Sequence, residues 1–416
     1  MIEKNVKRNL STYYSSLSLL EDRTVLLLCV SNVLDRMSES ILVPLLPIYA
    51  VRLGLNPLLL GVMFALLTAT RAVASAPCGY LADRYGKRPF IACGMIIGAL
   101  SIITLGFVTD PVLILALRAL DGVAAGMRNA PTTTYLGDIS DDETRPQVLS
   151  VYQSTGTLDA TIGPAFGGII AAVGSFSVPF VLLGGCTLLG GSLLAAFLPS
   201  IESESENRRL RPKISLGAVR GQSSPLFIAL TLSALLSGLG LGATSPIIAP
   251  LLQETIGAGS AYMGMFWSLF SISLTVVMPV GGSLVNSFGK RRGVLVGKTI
   301  WTAVIVVVGS VHIWFVPPLL YMLGAVGSAF SGPALGTIRY ETAPDGNDGT
   351  VLGVYSTFSS VGHAIGPLAS GAIASAMSYQ AAYLSVAVVW GLDVLVLASA
   401  FVVGETTTSV KNSPAE

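Results

Sequence analysis

Apolar residues in this chain come in long unbroken blocks separated by short polar stretches, not in the alternations that mark half-buried strands or surface helices. Twelve blocks stand out, at 24–51, 57–81, 89–108, 111–136, 147–173, 178–198, 225–252, 261–288, 293–315, 317–338, 351–377 and 381–403. Each matches or exceeds the about 20 residues an α-helix needs to cross a bilayer. The pattern predicts an all-α membrane protein with twelve transmembrane helices. Gly and Pro recur inside the blocks, which favours close packing and bends, because neighbouring helices re-satisfy freed backbone groups.

The chain also repeats itself. Gly79–Pro89 reads GYLADRYGKRP, and 203 residues later Gly282–Arg292 reads GSLVNSFGKRR. The same offset aligns Val148–Gly168 with Val351–Gly371, so Tyr152 matches Tyr355 and Gly163-Pro164 matches Gly366-Pro367. One offset across two separated blocks marks a duplicated half. Two pseudo-symmetric six-helix halves follow, at 24–199 and 225–405, with an N-terminal segment 1–23, a charged, Ser-rich linker 200–224 and a tail 406–416 that reads as disordered. Two repeated membrane halves point to transport at a site between them.

Composition agrees: 52% of residues are hydrophobic and 11% charged, against roughly 25% charged in soluble domains. With the N-terminus in the cytoplasm, eighteen of the 24 Lys and Arg fall on the cytoplasmic side, five within spans (Arg36, Arg71, Arg118, Arg128, Lys298) and Arg52 alone outside. That bias orients both termini inward. The polar N-terminal segment lacks a cleavable apolar core. All four cysteines lie in spans without metal-like spacing and read as packing residues. No phosphate-binding GxxxxGK[ST] loop occurs, so ATP is not expected to drive the process directly; neither metal nor cofactor is expected, and a net charge of +1 gives no basis for nucleic-acid binding.

Charges inside the spans are the candidate chemistry, because ionisable groups at membrane depth are expensive. The first half places Asp35, Glu39, Asp121 and Asp159 against Arg36, Arg71, Arg118 and Arg128, while the second has Lys298, Asp393 and His363. A fully paired structural network is one reading. Asp35 and Glu39, at i and i+4, share a helix face, and two adjacent carboxylates in a low-dielectric cavity do not both ionise cheaply. That is the other reading: a proton carrier. Arg36 either pairs with Glu39 or faces outward. Asp121 is placed for an i,i+3 pair with Arg118, Arg71 to brace the second helix against the first, and Arg128 inside the cavity. Lys298 lies near enough to a helix end to snorkel, Asp393 has no evident partner, and His363 reads as packed sooner than as a relay. Aromatic residues of the second half (Phe266, Trp267, Phe270, Tyr355 and Phe358) offer an apolar, shape-tolerant cavity wall.

Several segments then resemble a known family. Gly79, Asp83, Gly86, Lys87 and Arg88 in GYLADRYGKRP look like the loop 2–3 signature of the major facilitator superfamily, and the degraded copy in loop 8–9 is also that family's habit. LDRMSESILVPLLPIY (Leu34–Tyr49) is similar to the first helix of tetracycline-efflux and related twelve-helix drug–proton antiporters, RALDG (Arg118–Gly122) to the motif of their fourth helix, and IGPAFGG (Ile162–Gly168) to their antiporter signature. The resemblance implies the major facilitator fold. It implies proton coupling at Asp35 first, then Glu39 and Asp159, aided by Arg118. It also implies a cytoplasmic latch in which Asp83 pairs with Lys87 or Arg88 and with Asp138. Asn286 replaces that acid in the copy, so the latch should be asymmetric. Gly163, Pro164, Gly167 and Gly168 should make a tight, bent packing contact between the halves. Asp159 stands where the signature has a small residue, usually Gly, and brings a polar group to a packing segment.

The expected protein is a non-enzymatic, monomeric plasma-membrane transporter that exports a small amphipathic or apolar compound in exchange for protons. The alternatives are a proton symporter or uniporter for a metabolite such as a sugar or organic acid, and more distantly a non-transporting sensor or scaffold.

Overall fold

The computed structural model describes residues 22–141, 144–200, 224–343 and 348–411. Among them are twelve long helices: α1 (Arg23–Arg52), α2 (Pro57–Tyr85), α3 (Lys87–Leu105), α4 (Pro111–Asp138), α5 (Arg145–Val173), α6 (Ser177–Phe197), α7 (Pro225–Ile256), α8 (Ser260–Phe288), α9 (Lys290–Ser310), α10 (Val316–Glu341), α11 (Asp348–Ala376) and α12 (Tyr379–Lys411). Nearly every apolar block became one helix. The ninth stops at Ser310, short of the predicted 315, because Val311 takes an extended backbone; Trp314 and Phe315 follow in the connection and Tyr262 Oη donates to the Trp314 carbonyl at 2.6 Å. Apolarity alone does not register that exit, since aromatic residues also favour the membrane rim. α12 continues past 406 to Lys411. Most of the linker, the first 21 residues and the last five lie outside the described residues.

Helix starts follow local chemistry. Asp110 caps α4 by accepting from the Val112 and Leu113 amides, ahead of Pro111 in the first turn, and Ser224 caps α7 by accepting from the Phe227 amide ahead of Pro225. The repeated GYLADRY and GSLVNSF segments become the last turns of α2 and α8, each followed by a single connecting glycine. Gly86 and Gly289 adopt φ of 97° and 89°, a region that side chains with a Cβ avoid.

Among the described residues, eight helices are long and apolar enough to cross a membrane on composition alone, and α1, α4, α5 and α11 are not among them. α1 and α4 carry several ionisable residues within their length, α11 is rich in Ser and Gly and carries His363, and in α5 the apolar stretch described continuously is Ile162–Val173.

The chain divides into two compact units. One takes in α1 to Leu46 and the chain from Leu66 through α6. The other takes in Pro47–Ala65 together with α7–α12. Each has its own apolar core. Leu28, Ile91, Met95, Tyr135, Val148 and Leu194 belong to the first; Leu230, Val294, Ile338, Val351, Tyr355, Leu397 and Phe401 belong to the second. Small residues let backbones touch. In the first unit Gly122 and Gly126 of α4 abut the Leu67 and Arg71 carbonyls of α2, and in the second Gly238 and Gly242 of α7 abut Ser359 and His363 of α11. Gly362 and Gly366, the latter in the copied Gly-Pro signature, meet the Leu235 and Leu239 carbonyls from the other side. In the second half, then, this small-residue face closes α11 onto α7 inside a single unit. Gly163, Pro164, Gly167 and Gly168 are buried in α5.

Candidate functional site

The first unit gathers the buried charges of α1, α2 and α4. Arg128 lies between the two carboxylates of α1, with Nε 2.8 Å from Asp35 Oδ2 and Nη2 2.9 Å from Glu39 Oε1. Glu39 also meets Arg71 of α2 at 3.3 Å and Arg36, one turn back, at 3.0 Å. Arg118 and Asp121 form their own pair along α4 at 2.9 Å. The i,i+4 spacing therefore does bring Asp35 and Glu39 to one face, but an arginine separates them. Their repulsion is relieved by a shared cation, so adjacency alone does not single out the proton carrier.

The two carboxylates differ in support. Glu39 has three arginines and its side chain is 29% exposed, whereas Asp35 is buried and, among the described residues, pairs with Arg128 alone of the arginines. Arg128 itself is 4% exposed, and its Nε and Nη1 have no aligned hydrogen-bond partner among the described residues. Beside Asp35 and Arg128 is a cavity of about 20 Å³, edged by Ser31, Asn32, Thr132 and Tyr152. That is room for about one water. Asn32 ties α1 to α5 by donating to the Tyr152 carbonyl at 3.1 Å and to Thr155 Oγ1 at 3.0 Å. Asp159 is on α5, and its side chain lies outside the described residues.

At the start of α3, Lys87 bonds Asp138 at the end of α4 and stands 3.8 Å from Asp83 near the end of α2. Arg88 donates to the Ala195 carbonyl near the end of α6. The copy does the same. Lys290 pairs with Glu341 at the end of α10, and Arg291 reaches the Phe401 carbonyl of α12 at 3.3 Å. Lys290 and Glu341 stand 203 residues after Lys87 and Asp138. The expected asymmetry is thereby narrowed: the copy lacks the counterpart of Asp83 but keeps the lysine–carboxylate bond. The offset that exposed the repeat would have located Glu341.

The second unit holds two corrections. Lys298 does not snorkel; it is 3% exposed and pairs with Asp393, which is wholly buried, while Ser237 of α7 bonds both. They are the buried opposite charges of this half, and each is cheaper with the other than alone. Two expected cavity aromatics are in the core. Tyr355, 2% exposed, packs on Phe227 at 5.6 Å, and Phe266, fully buried, lies 4.5 Å from Tyr321. Aromaticity and helix number do not reveal which way a ring faces. Trp267 and Phe270 are half-buried in ring contact at 6.0 Å, the indole Nε1 has no hydrogen-bond partner among the described residues, and Phe358 is exposed. His363 is half-buried on α11.

Twelve long helices, a duplicated half and charges kept at membrane depth define a multi-pass membrane transporter. The profile of the Major Facilitator Superfamily matches residues 28–236 and 230–416, and the chain belongs to that family. It is 24% identical over 346 residues to multidrug resistance protein 1 of Bacillus subtilis, covering 80% of this chain and 85% of that one. It is 23% identical over 367 residues to the quinolone resistance protein NorA of Staphylococcus aureus, covering 86% and 92%. Among solved structures it resembles a bacterial homologue of the human lysosomal transporter Spinster (TM-score 0.73, 16% identity, 94% and 98% covered). It also resembles the nucleoside transporter NupG (TM-score 0.73, 14% identity, 91% and 99% covered). These likenesses establish the fold. The protein is a secondary transporter for a small-molecule substrate.

Proposed function

We propose that this transporter exports small amphipathic compounds across the plasma membrane in exchange for protons, acting as a monomer with both termini in the cytoplasm. The observation that carries the reading is the Asp35–Arg128–Glu39 bridge between α1 and α4. The names of the relatives in Bacillus and Staphylococcus support the substrate class. Asp35 has the fewer cationic partners and is the carboxylate that takes the proton; Glu39, held by three arginines, stays charged and keeps Arg128 in place. Protonation of Asp35 releases Arg128 from half of its bridge, which changes how α1 is held to α4. That is the differential interaction an alternating-access cycle needs. Trp267, Phe270 and Phe358 supply apolar contact to the substrate, and the free Trp267 indole supplies a donor. The Lys87–Asp138 contact, with Asp83 beside it, serves as the cytoplasmic latch, and the glycines and Pro164 of α5 as the packing seam.

The test uses purified protein in liposomes with an entrapped pH-sensitive dye and an imposed proton gradient, challenged with lipophilic cations, quinolones and neutral drugs. Drug-dependent proton flux that vanishes in Asp35→Asn supports the reading. Flux unchanged in Asp35→Asn, Glu39→Gln and the double variant removes it, and uptake down the proton gradient instead of extrusion identifies a symporter.

A further inference from the structure

The buried pair in the second unit invites comparison with its counterpart in the first. Moving back 203 residues from Lys298 and Asp393 leads to Met95 and Gly190. Those two residues already touch: a Cβ on Gly190 would stand 3.0 Å from Met95 Cε. The α3–α6 contact is thus made by a methionine against a glycine, and the equivalent α9–α12 contact by an ammonium against a carboxylate. Packing of this helix pair does not require charge. An ion pair retained where an apolar contact suffices is a candidate for function.

Its bonding is lopsided. Asp393 Oδ2 accepts from both Lys298 and Ser237, the latter at 2.9 Å, while Oδ1 is buried without a hydrogen-bond partner among the described residues. A carboxylate oxygen sealed from water and protein donors alike is a costly arrangement for an anion. The surrounding charge is cationic. Lys298 comes from α9 and Arg339 from α10, with Arg339 lying over the Tyr355 ring of α11 at 5.4 Å. Arg291 lies near the start of α9 beside Phe401, α7 contributes the Ser237 hydroxyl, and α11 also carries His363. Trp390, one turn before Asp393 on α12, presents its ring 5.1 Å from Lys298 Nζ. The ammonium therefore already rests against that ring while it bonds Asp393, and it keeps a cation–π contact on leaving the carboxylate.

We infer that Asp393 is a second proton-binding site, in the C-terminal half, gated by Lys298. When α9 and α12 shift so that Lys298 leaves Asp393 and keeps only its contact with Trp390, the abandoned carboxylate takes a proton on Oδ1 and becomes a neutral acid; Lys298 keeps its own proton. When the pair re-forms, the proton returns to solution. The inference extends the proton-coupled reading above, adding a titrating group on helices that the Asp35 network does not touch.

Infrared difference spectra of the purified full-length protein, recorded through an acid-to-alkaline titration in H2O and D2O, test it by following the carboxylic-acid carbonyl bands of buried groups. The wild type should lose two such bands on alkalinisation. Asp35→Asn should remove one and leave the other. The double variant Lys298→Met with Asp393→Gly, which installs the Met95–Gly190 packing, should remove the second alone. Asp393→Asn repeats that arm with a side chain of the same shape, in case the double variant is unstable. Lys298→Met alone should show the second band even at alkaline pH. Spectra unchanged by both Asp393 variants overturn the inference. A second band that persists in Asp35→Asn but disappears with Asp393 sustains it, whether or not Asp35 titrates. A band that answers to sodium at constant pH, and not to protons, also overturns it.

Discussion

Arg128 of α4 holds Asp35 of α1 through Nε at 2.8 Å, with both side chains almost wholly buried. The same arginine bonds Glu39, 89 residues away in sequence. Neither Arg128 nor Asp35 is well placed without the other. Arg128→Met should lower stability by about 3–5 kcal/mol, the cost of leaving a buried charge unpaired, read as a fall in thermal unfolding temperature in detergent. Adding Asp35→Asn should recover part of that loss. If the double variant is as unstable as the sum of the singles, the two residues are not coupled.

The lysine–carboxylate bonds at the helix ends should behave differently, because each has a carboxylate open to solvent, Asp138 at 37% and Glu341 at 53%. Lys87→Asp and Asp138→Lys singly should slow transport several-fold with little change in unfolding temperature, since exposed pairs contribute about 0–1 kcal/mol. The charge-swapped double should transport better than either single. Equal impairment in all three would assign Lys87 a role outside the pair.

Where backbones touch, size is decisive. Gly362→Leu forces a side chain into the Leu235 carbonyl of α7, and overpacking of this kind costs about 1–3 kcal/mol or more. Gly353 of the same helix has nothing within 4 Å of where a Cβ would stand. Gly353→Ala should therefore be neutral or stabilising by up to about 1 kcal/mol. Comparing the unfolding temperatures of the two variants separates packing from helix propensity.

Gly86→Ala and Gly289→Ala should each destabilise by about 1–2 kcal/mol, because both positions hold positive φ. The effect, read from unfolding temperatures, should be alike in the two variants. A large difference would mean that the repeated turns, though of one backbone form, are not equally strained.

Much of this was readable from the chain. Helix number and the duplication followed from block length and the 203-residue offset, and Arg118–Asp121 and Arg36–Glu39 from helical spacing. Contacts between helices were less accessible. That Arg128 divides Asp35 from Glu39, that Lys298 finds Asp393, and that Tyr355 turns into the core depend on helix rotation, which apolar blocks leave undetermined because lipid and protein interior are equally greasy. Glu341 is the exception: it is an exposed end residue whose role was encoded in the repeat.

The charges of α1 also bear on how the protein enters its membrane. Each Asp, Lys or Arg near the middle of a span opposes insertion by roughly 2.5–3.5 kcal/mol, and α1 carries Asp35, Arg36 and Glu39 together. Arg36 is made alongside them, but Arg71 and Arg128 follow on α2 and α4. The ion pairs that offset these charges are therefore complete only after three more helices have been synthesised, and the arginine that completes the site is also the last of the cations that make α1 tolerable in the bilayer.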